Sequence, residues 1–458
     1  MMVGADDIPL LEDEVAFSLM AFERKGAGLS RLVEQLDDIY DGKVFKIAGE
    51  GHAIEPRIQE TVDTLNRAAD ASSSCIIKAV TGKNQGLSLS DSGILPIPAA
   101  PVVQNATLKP ISFTREKRMI EIDGSYGEGG GQILRTALSL SCLLGHPIRL
   151  FGIRNRRNPP GLRPQHLMAV NAAREIGRAD VKGAVLGSRE LLFTPYGIAG
   201  GAYRFDVGTA GSTSLVLQTV IPPLLFAREN STVELIGGTH VRFSPSYHYI
   251  HHVFFPVLRM LGCDLRIKMD TAGFYPRGGG VVRAEIRPIG ELRYLDSQRR
   301  GEFELVTGSS VVANLPDHIA VRQMEAAREK IESLGYEVEI ETGRLPSPGR
   351  GSSIFLIPVV SPSLAGFEGL GAPGKPAERV GSEAAGKLLE WLDSGMALDR
   401  YLADQLVIYL ALGKKTSTFT TMAITHHLLT NLWVTSRFLD YSYRVEGDVG
   451  SPGRVVIN

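Results

Sequence analysis

The sequence predicts an α/β (α+β) protein: repeated βαβ-type units, a smaller inserted α/β segment, and a mainly helical N-terminal extension. Three observations carry this expectation. A strand, a turn of small residues and a helix occur in that order twice, roughly 80 residues apart. Residues 301–394 have a strand–helix rhythm of their own. Residues 1–115 differ in character from the rest and end in a stretch rich in Ser, Gly, Pro and Ala (Gly82–Lys109), which reads as a linker.

In the extension, Val15, Phe17, Leu19 and Met20, then Leu29, Leu32, Val33, Leu36 and Ile39, fall at helical spacing. Gly26 and Gly28 separate two helices, and another helical stretch runs near Glu55–Ala71. No chemical motif occurs in this quarter. The first unit then opens with a strand at Met119–Ile122, the loop Gly127–Gly131 and a helix from Gln132 to Leu144. The second has a strand at Tyr203–Val207, the loop Gly208–Gly211 and a helix from Ser212 to Phe226. Leu398–Gly413 supplies a further helix of the same kind. Within the insert, the expected elements are Glu302–Val306, Ala320–Leu334, Glu337–Glu341, Ser353–Val360 and Ser382–Asp393. Pro346–Gly351 reads as a mobile loop.

Composition bounds the function. The 458 residues are 43% apolar and 22% charged with a net charge of −1, which excludes a wholly disordered or fibrous chain. Cys75, Cys142 and Cys263 are too scattered for a disulfide framework or a CxxC metal knuckle, so a reducing compartment is expected. No apolar run reaches the ~20 residues of a membrane span, and the acidic N-terminus has no secretory pattern. The expected location is cytoplasmic, with no membrane partner. No feature of the sequence fixes an oligomeric state.

Two segments carry chemistry. Gly127–Arg135 reads GEGGGQILR, where glycines let a ligand approach the backbone and a following helix offers free N–H groups to an anion. It is neither GxxxxGK[ST] nor GxGxxG, so alone it is equally a tight turn or a phosphate cradle. Glu128 and Arg135 beside it add a possible metal ligand and a phosphate fork. Arg149–His166 holds Arg149, Arg154, Arg156, Arg157 and Arg163 around a stiff Pro159-Pro160-Gly161 turn. Planar guanidinium groups suit phosphate, and a solvated basic loop is the plain alternative.

Other features are weaker. Gly273–Gly280 (GFYPRGGG) reads as a tight turn or a substrate-facing one. His248, His251 and His252 have metal-compatible spacing, but no cysteine or carboxylate completes a set nearby, so they read as plain helix surface. His426-His427 follows an expected strand at Thr418–Ile424. If that segment is extended, the two imidazoles face opposite ways.

Together, DGSYGEGGGQILR, the Arg154–His166 segment, GSTSLVLQT, GFYPRGGG, YLADQL and HLLTN, in this order from Met119 onward, resemble the RNA 3′-terminal phosphate cyclase family. The resemblance covers about three quarters of the chain. It implies a main domain of three βαβαββ-type repeats (116–300 and 395–458) with a smaller α/β domain inserted before the third (301–394). It also implies ATP-dependent conversion of an RNA 3′-phosphate to a 2′,3′-cyclic phosphate, through a histidine–AMP adduct and an adenylylated RNA end, with ATP and a divalent metal (Mg or Mn). By position, His427 matches the nucleophile. Arg135, Arg154, Arg157 and Gln165 match phosphate-holding residues. Glu128, Gln218 and Asp404 match polar groups around nucleotide and metal, and Tyr401 and Gln405 match the adenylate pocket. His426 and residues 1–115 depart from the family pattern. Two other readings keep part of this picture: a non-catalytic cyclase-like ribosome-biogenesis factor, and an enolpyruvyl transferase-like enzyme.

Overall fold

The computed structural model describes residues 45–49, 77–81, 118–303, 305–360 and 364–458. The chain forms two units, Met1–Thr107 and Leu108–Asn458. In the first, strands β1 (Phe45–Gly49) and β2 (Ile77–Thr81) pair in parallel. These strands were not expected from the sequence. The helices expected near 10–40 and 55–71, and the linker at 82–109, lie outside the described residues.

The second unit is built by repetition. Its first repeat is β3 (Ile120–Asp123), α1 (Gly131–Leu144), β4 (Ile148–Phe151), α2 (Pro164–Ile176), β5 (Asp180–Lys182) and β6 (Leu191–Thr194). The next comprises β7 (Ala202–Asp206), α3 (Thr213–Leu225) and β8 (Ser231–Gly237). A helical segment, α4, follows: Tyr247–Tyr249, a π-helical turn Ile250–Phe254, and Phe255–Met260. The repeat closes with β9 (Asp264–Thr271) and β10 (Gly280–Arg287). The last starts with β11 (Asp296–Ser297) and resumes with α7 (Leu402–Leu412), β16 (Ser417–Thr421), α8 (His426–Ser436), β17 (Tyr443–Glu446) and β18 (Gly453–Ile457). The three sheets have one topology: β3-β4-β6-β5, β7-β8-β10-β9 and β11-β16-β18-β17. In each, the first two strands are parallel and the last two antiparallel.

Between β11 and α7 comes a fourth sheet, β13-β12-β14-β15, from β12 (Leu305–Ala313), β13 (Glu337–Arg344), β14 (Gly351–Pro358) and β15 (Phe367–Leu370). Helices α5 (His318–Glu332) and α6 (Ala377–Ser394) cover it around a core that includes Trp391, Ile354 and Leu388. The insertion therefore falls inside the third repeat, after its first strand, rather than before it. That strand is two residues long, too short for a hydrophobic period to reveal.

Central helices meet because their sequences are apolar on most sides. Helix α3 buries nearly every residue, and Ser212 Oγ caps it by accepting from Leu215 N–H at 3.3 Å. Helix α1 packs against α2, α3 and α8, and α7 packs against α8.

Two expectations are corrected here. The histidines of α4 are not surface: His248 is buried and His251 and His252 are half-buried, with Phe355 of β14 stacked beside His248 and His252. Apolar contact from a distant strand overrides a polar-looking helix face. Nor is Pro346–Gly351 free to move. Asn314 Nδ2 donates to Ser347 O and Gly349 O, both at 2.7 Å, and Ala272 N–H donates to Pro346 O at 2.8 Å.

Candidate active site

The glycine loop is fixed by what packs behind it. Gly127 has φ +54°, and a Cβ there would lie 2.5 Å from Thr430 Oγ1, so only glycine fits against α8. Tyr126 stacks on Trp433 of α8 with ring centroids 3.8 Å apart. The loop is thus held on the first turns of α8, and this brings Glu128 to His427.

His426 and His427 begin α8, with Thr425 Oγ1 accepting from Leu428 N–H at 3.0 Å as the cap. They are helical rather than extended, so their side chains diverge by about 100° instead of pointing oppositely. His426 is exposed and His427 half-buried. His427 Nδ1 lies 2.7 Å from Glu128 Oε2, close but not aligned as a hydrogen bond. The other oxygen of Glu128 meets the Arg157 guanidinium. Burial holds the His427 pKa below its ordinary value, with Asp404 opposing and Arg135 and Arg157 reinforcing the shift. Burial thus favours the neutral imidazole, with Nε2 on the side away from the Nδ1–Glu128 contact.

Beside this triad is a cleft lined by Gln132, Arg135, Gln218, Asp404, Gln405 and Asn431, among others. Arg135 is buried; its Nη2 donates to Gln132 Oε1 at 2.9 Å, and burial lowers its pKa to about 10. Asp404 is buried as well, and burial raises its carboxyl to about 7 despite His427 and Arg135. Gln218 Nε2 donates to Gln405 Oε1, and Gln405 Nε2 to Tyr401 O at 2.8 Å. Tyr401 itself is largely exposed. Asn431 Nδ2 donates to the Asp404 carbonyl at 2.7 Å, and Thr136 Oγ1 donates to Asn431 Oδ1 at 2.7 Å, which ties α7, α8 and α1 together.

The arginine loop borders the same region. Arg154, at φ +53°, donates through Nη1 to Pro159 O at 3.0 Å and Gly161 O at 2.9 Å, so it braces its own turn. His166 joins this loop to α1. Its Nδ1 accepts from Arg163 N–H at 3.2 Å, while its Nε2 is so close to Gly131 that a Cβ there would lie 2.4 Å away. Burial first, then Arg135, Arg154 and Arg163, depress its pKa to about 3. Gln165 faces the second repeat, where its Oε1 accepts from Ser212 N–H at 3.2 Å.

Thus Glu128, Arg157 and His427 are in contact, and Arg135, Asp404, Gln218 and Gln405 line one adjoining cleft. Arg154 and Gln165 lie beyond His166, and Tyr401 contributes its carbonyl. Gln132, His166 and Asn431 also build the site. His166 closes the Arg154–His166 segment and Asn431 ends HLLTN, but nothing in their spacing assigns them a part. Among the described residues no three His, Cys, Asp or Glu side chains converge as a metal set.

A carboxyl raised by burial gives a signed prediction. The folded chain retains a proton on Asp404 that the unfolded chain, at the ordinary value of 3.8, has released. Stability contributed by this group therefore falls as pH rises from that value toward about 7. Asp404→Asn should stabilise the protein progressively over that window, as read by denaturant midpoints at several pH values. A gain that does not grow with pH would contradict the buried-charge assignment.

A family model described as RNA 3′-terminal phosphate cyclase matches residues 126–445. The chain is 42% identical over 339 residues to an RNA 3′-terminal phosphate cyclase of Pyrococcus abyssi, covering 74% of this chain and 98% of the relative. Similar proteins of the same description occur in Ignicoccus hospitalis, at 44% identity over 73% of this chain and 97% of the relative, and in Desulfurococcus amylolyticus, at 45% over 74% and 98%. A match over most of the chain, through both the repeats and the insert, places this chain in the RNA 3′-terminal phosphate cyclase family.

Proposed function

We infer that this chain is an ATP-dependent RNA 3′-terminal phosphate cyclase that works through a covalent adenylate on His427. The observation that carries the reading is the contact of a half-buried imidazole, its pKa lowered by burial, with a carboxylate beside a cleft lined by Arg135 and Asp404. A neutral imidazole nitrogen is a competent nucleophile toward phosphorus, and Glu128 against Nδ1 orients the ring so that Nε2 attacks.

Three displacements follow. His427 Nε2 bonds to the α-phosphorus of ATP as the bond to pyrophosphate breaks. An oxygen of the RNA 3′-phosphate then takes the AMP from Nε2, which frees the imidazole. Finally the vicinal 2′-oxygen bonds to the 3′-phosphorus, its proton leaves, and AMP departs. Arg135 and Arg157 stabilise the charge that grows on the phosphate oxygens. Arg154 holds the rim of the substrate side, and Gln218, Tyr401, Asp404, Gln405 and Gln165 shape the nucleotide and phosphate surfaces.

Among the described residues the side chains do not form a metal cage by themselves. One carboxylate with substrate phosphates is, however, an arrangement Mg²⁺ commonly uses, so a divalent cation arriving with ATP is supported by Glu128, with Gln218 and Asp404 the other candidate donors. It would neutralise phosphate charge. No helix among the described residues is long and apolar enough to cross a membrane. A cytoplasmic location remains our proposal, as do domain limits at 116–300 with 395–458 and at 301–394.

The test is end specificity. With ATP, RNA ending in a 3′-phosphate should give a 2′,3′-cyclic phosphate, and a 3′-OH end should give none. No cyclic product from the first would defeat the reading, and would return the chain to a non-catalytic or enolpyruvyl-type role. The arginines add a finer expectation. Arg157 is partly exposed, so its ion pair contributes at most about 1 kcal/mol to stability. Arg157→Ala should nevertheless lower cyclisation roughly 10²–10³-fold. Arg157→Lys should recover only part, lacking the planar fork. Arg154→Ala should lower stability too, since it frees two loop carbonyls. Wild-type rates in Arg157→Ala would make that ion pair a surface contact only.

A further inference from the structure

The GFYPRGGG turn and the loop after β8 present aromatic rings to water at one end of the second sheet. Phe243 is 99% exposed and Tyr275 78% exposed. Phe243 has φ +63°, a backbone region that bulky residues rarely occupy and that persists only where surrounding structure enforces it. Ser244 Oγ donates to Val241 O at 3.1 Å across Phe243, and the base of the loop is tied to the GFYPRGGG turn. Gly273 O accepts from Thr239 N–H at 2.9 Å and His240 N–H at 3.1 Å, Gly273 N–H donates to Thr239 Oγ1 at 2.9 Å, and the His240 and Phe274 rings stack with centroids 5.1 Å apart. Both rings project to solvent from loops that are hydrogen-bonded together at their bases.

Cationic side chains surround them. Arg242, Arg277 and Arg350 are exposed and make no ion pair among the described residues. On the flat face of the same sheet, by contrast, Arg204 and Arg283 are neutralised by Glu234 and Asp270. Arg277 and Arg350 are neighbours through Gly349, where a Cβ would lie 3.3 Å from Arg277 Cβ.

A chain of packing contacts joins this end to the active site. His166 lies against Gly131, and Gln165 bonds Ser212 N–H at the end of the Gly208–Gly211 loop. Ala210 in that loop touches Gly278, where a Cβ would lie 2.8 Å from Ala210 Cα. Strands β7, β8 and β9 run in one direction, so the loops that follow them open at the same end of the sheet.

We propose that Phe243 and Tyr275, with Arg242, Arg277 and Arg350, form a track for the single-stranded RNA leading away from the reacting 3′ end. This rests on the proposed cyclase reading, and it adds the site that would hold nucleotides upstream of the terminal phosphate. Aromatic faces stack on bases without regard to sequence, and guanidinium groups hold the backbone phosphates. The track therefore selects RNA with a single-stranded tail rather than a particular base order.

Binding of 5′-fluorescein RNAs to the full chain, read by anisotropy, tests this. One RNA is a 3′-phosphorylated trinucleotide and the other a 3′-phosphorylated strand of about twelve nucleotides, within the range such grooves accommodate. Phe243→Ala and Tyr275→Ala should each weaken the long RNA by roughly 5- to 100-fold, the range expected for one lost base stack. Both should leave the trinucleotide and self-adenylylation unchanged. Tyr275→Phe should bind as the wild type does. Arg277→Ala should reduce the slope of log K against log salt by about 0.7, the value for one single-strand phosphate. Unchanged affinity for the long RNA in both ring variants, or equal loss for both lengths, would overturn the track. Absence of adenylylation in the wild type would instead defeat the catalytic reading, and the comparison of the two RNAs would still decide this one.

Discussion

His427→Ala will retain no label from α-labelled ATP and will form no cyclic product from a 3′-phosphate end, whereas His426→Ala will retain the label and form the product. The asymmetry follows from helix geometry. The Thr425 cap starts α8 at these two residues, turning His426 to solvent and His427 onto Glu128. Of the two imidazoles, only His427 contacts Glu128. RNA already carrying AMP on its 3′-phosphate should bypass part of the His427→Ala defect, because the histidine has completed its work by that stage. Labelling by the wild type should persist below the pH at which a free imidazole, with pKa ~6.5, becomes protonated. Burial lowers the His427 value and so keeps the nucleophile neutral further into acid. Asp404→Asn should leave this acid limit nearly unchanged, since burial already holds the Asp404 carboxyl protonated below about 7. Labelling that survives in His427→Ala and disappears in His426→Ala would reverse the assignment.

RNA with a 2′-deoxy, 3′-phosphate terminus should be adenylylated and then stop. The end has the phosphate that accepts AMP but not the oxygen that displaces it. Adenylylated RNA should accumulate, seen as a label that moves from protein to nucleic acid without release of AMP. The effect is close to all-or-none, because no residue of the site can substitute for a missing intramolecular nucleophile whose proximity supplies several powers of ten in rate. Release of AMP at the rate given by a ribose end would show that water or another group attacks the activated phosphorus, and that cyclisation is not the outcome the site enforces.

Much of the architecture was readable because each repeat opens in the same way. A short apolar strand, a turn of small residues and an apolar helix mark Ile120–Leu144 and Ala202–Leu225, and the observed limits differ from the expected ones by about a residue. The third repeat was readable only from Leu402 onward. Its first strand is two residues long and is separated from its helix by the entire inserted sheet. The site divides similarly. Glu128, Arg135 and Arg157 stand in segments whose composition alone suggests phosphate. The family resemblance singles out His427 over His426, which the residues alone do not, and the cap at Thr425 then sets a helical rather than an alternating arrangement. Gln132, His166 and Asn431 act through contacts with Arg135, Gly131 and the Asp404 carbonyl, partners that become neighbours only in the folded chain. The histidines of α4 looked polar and accessible in sequence, but they are packed against Phe355, roughly a hundred residues away.

The central claim is that one imidazole nitrogen carries the nucleotide. Incubating the wild-type protein with α-labelled ATP, digesting it under alkaline conditions and mapping the labelled peptide by mass spectrometry tests this most directly. The account predicts a single AMP adduct on His427, stable to alkali and labile to acid as a phosphoramidate is. An adduct on a lysine or on His426, or no adduct in a preparation that still forms the cyclic phosphate, would contradict it.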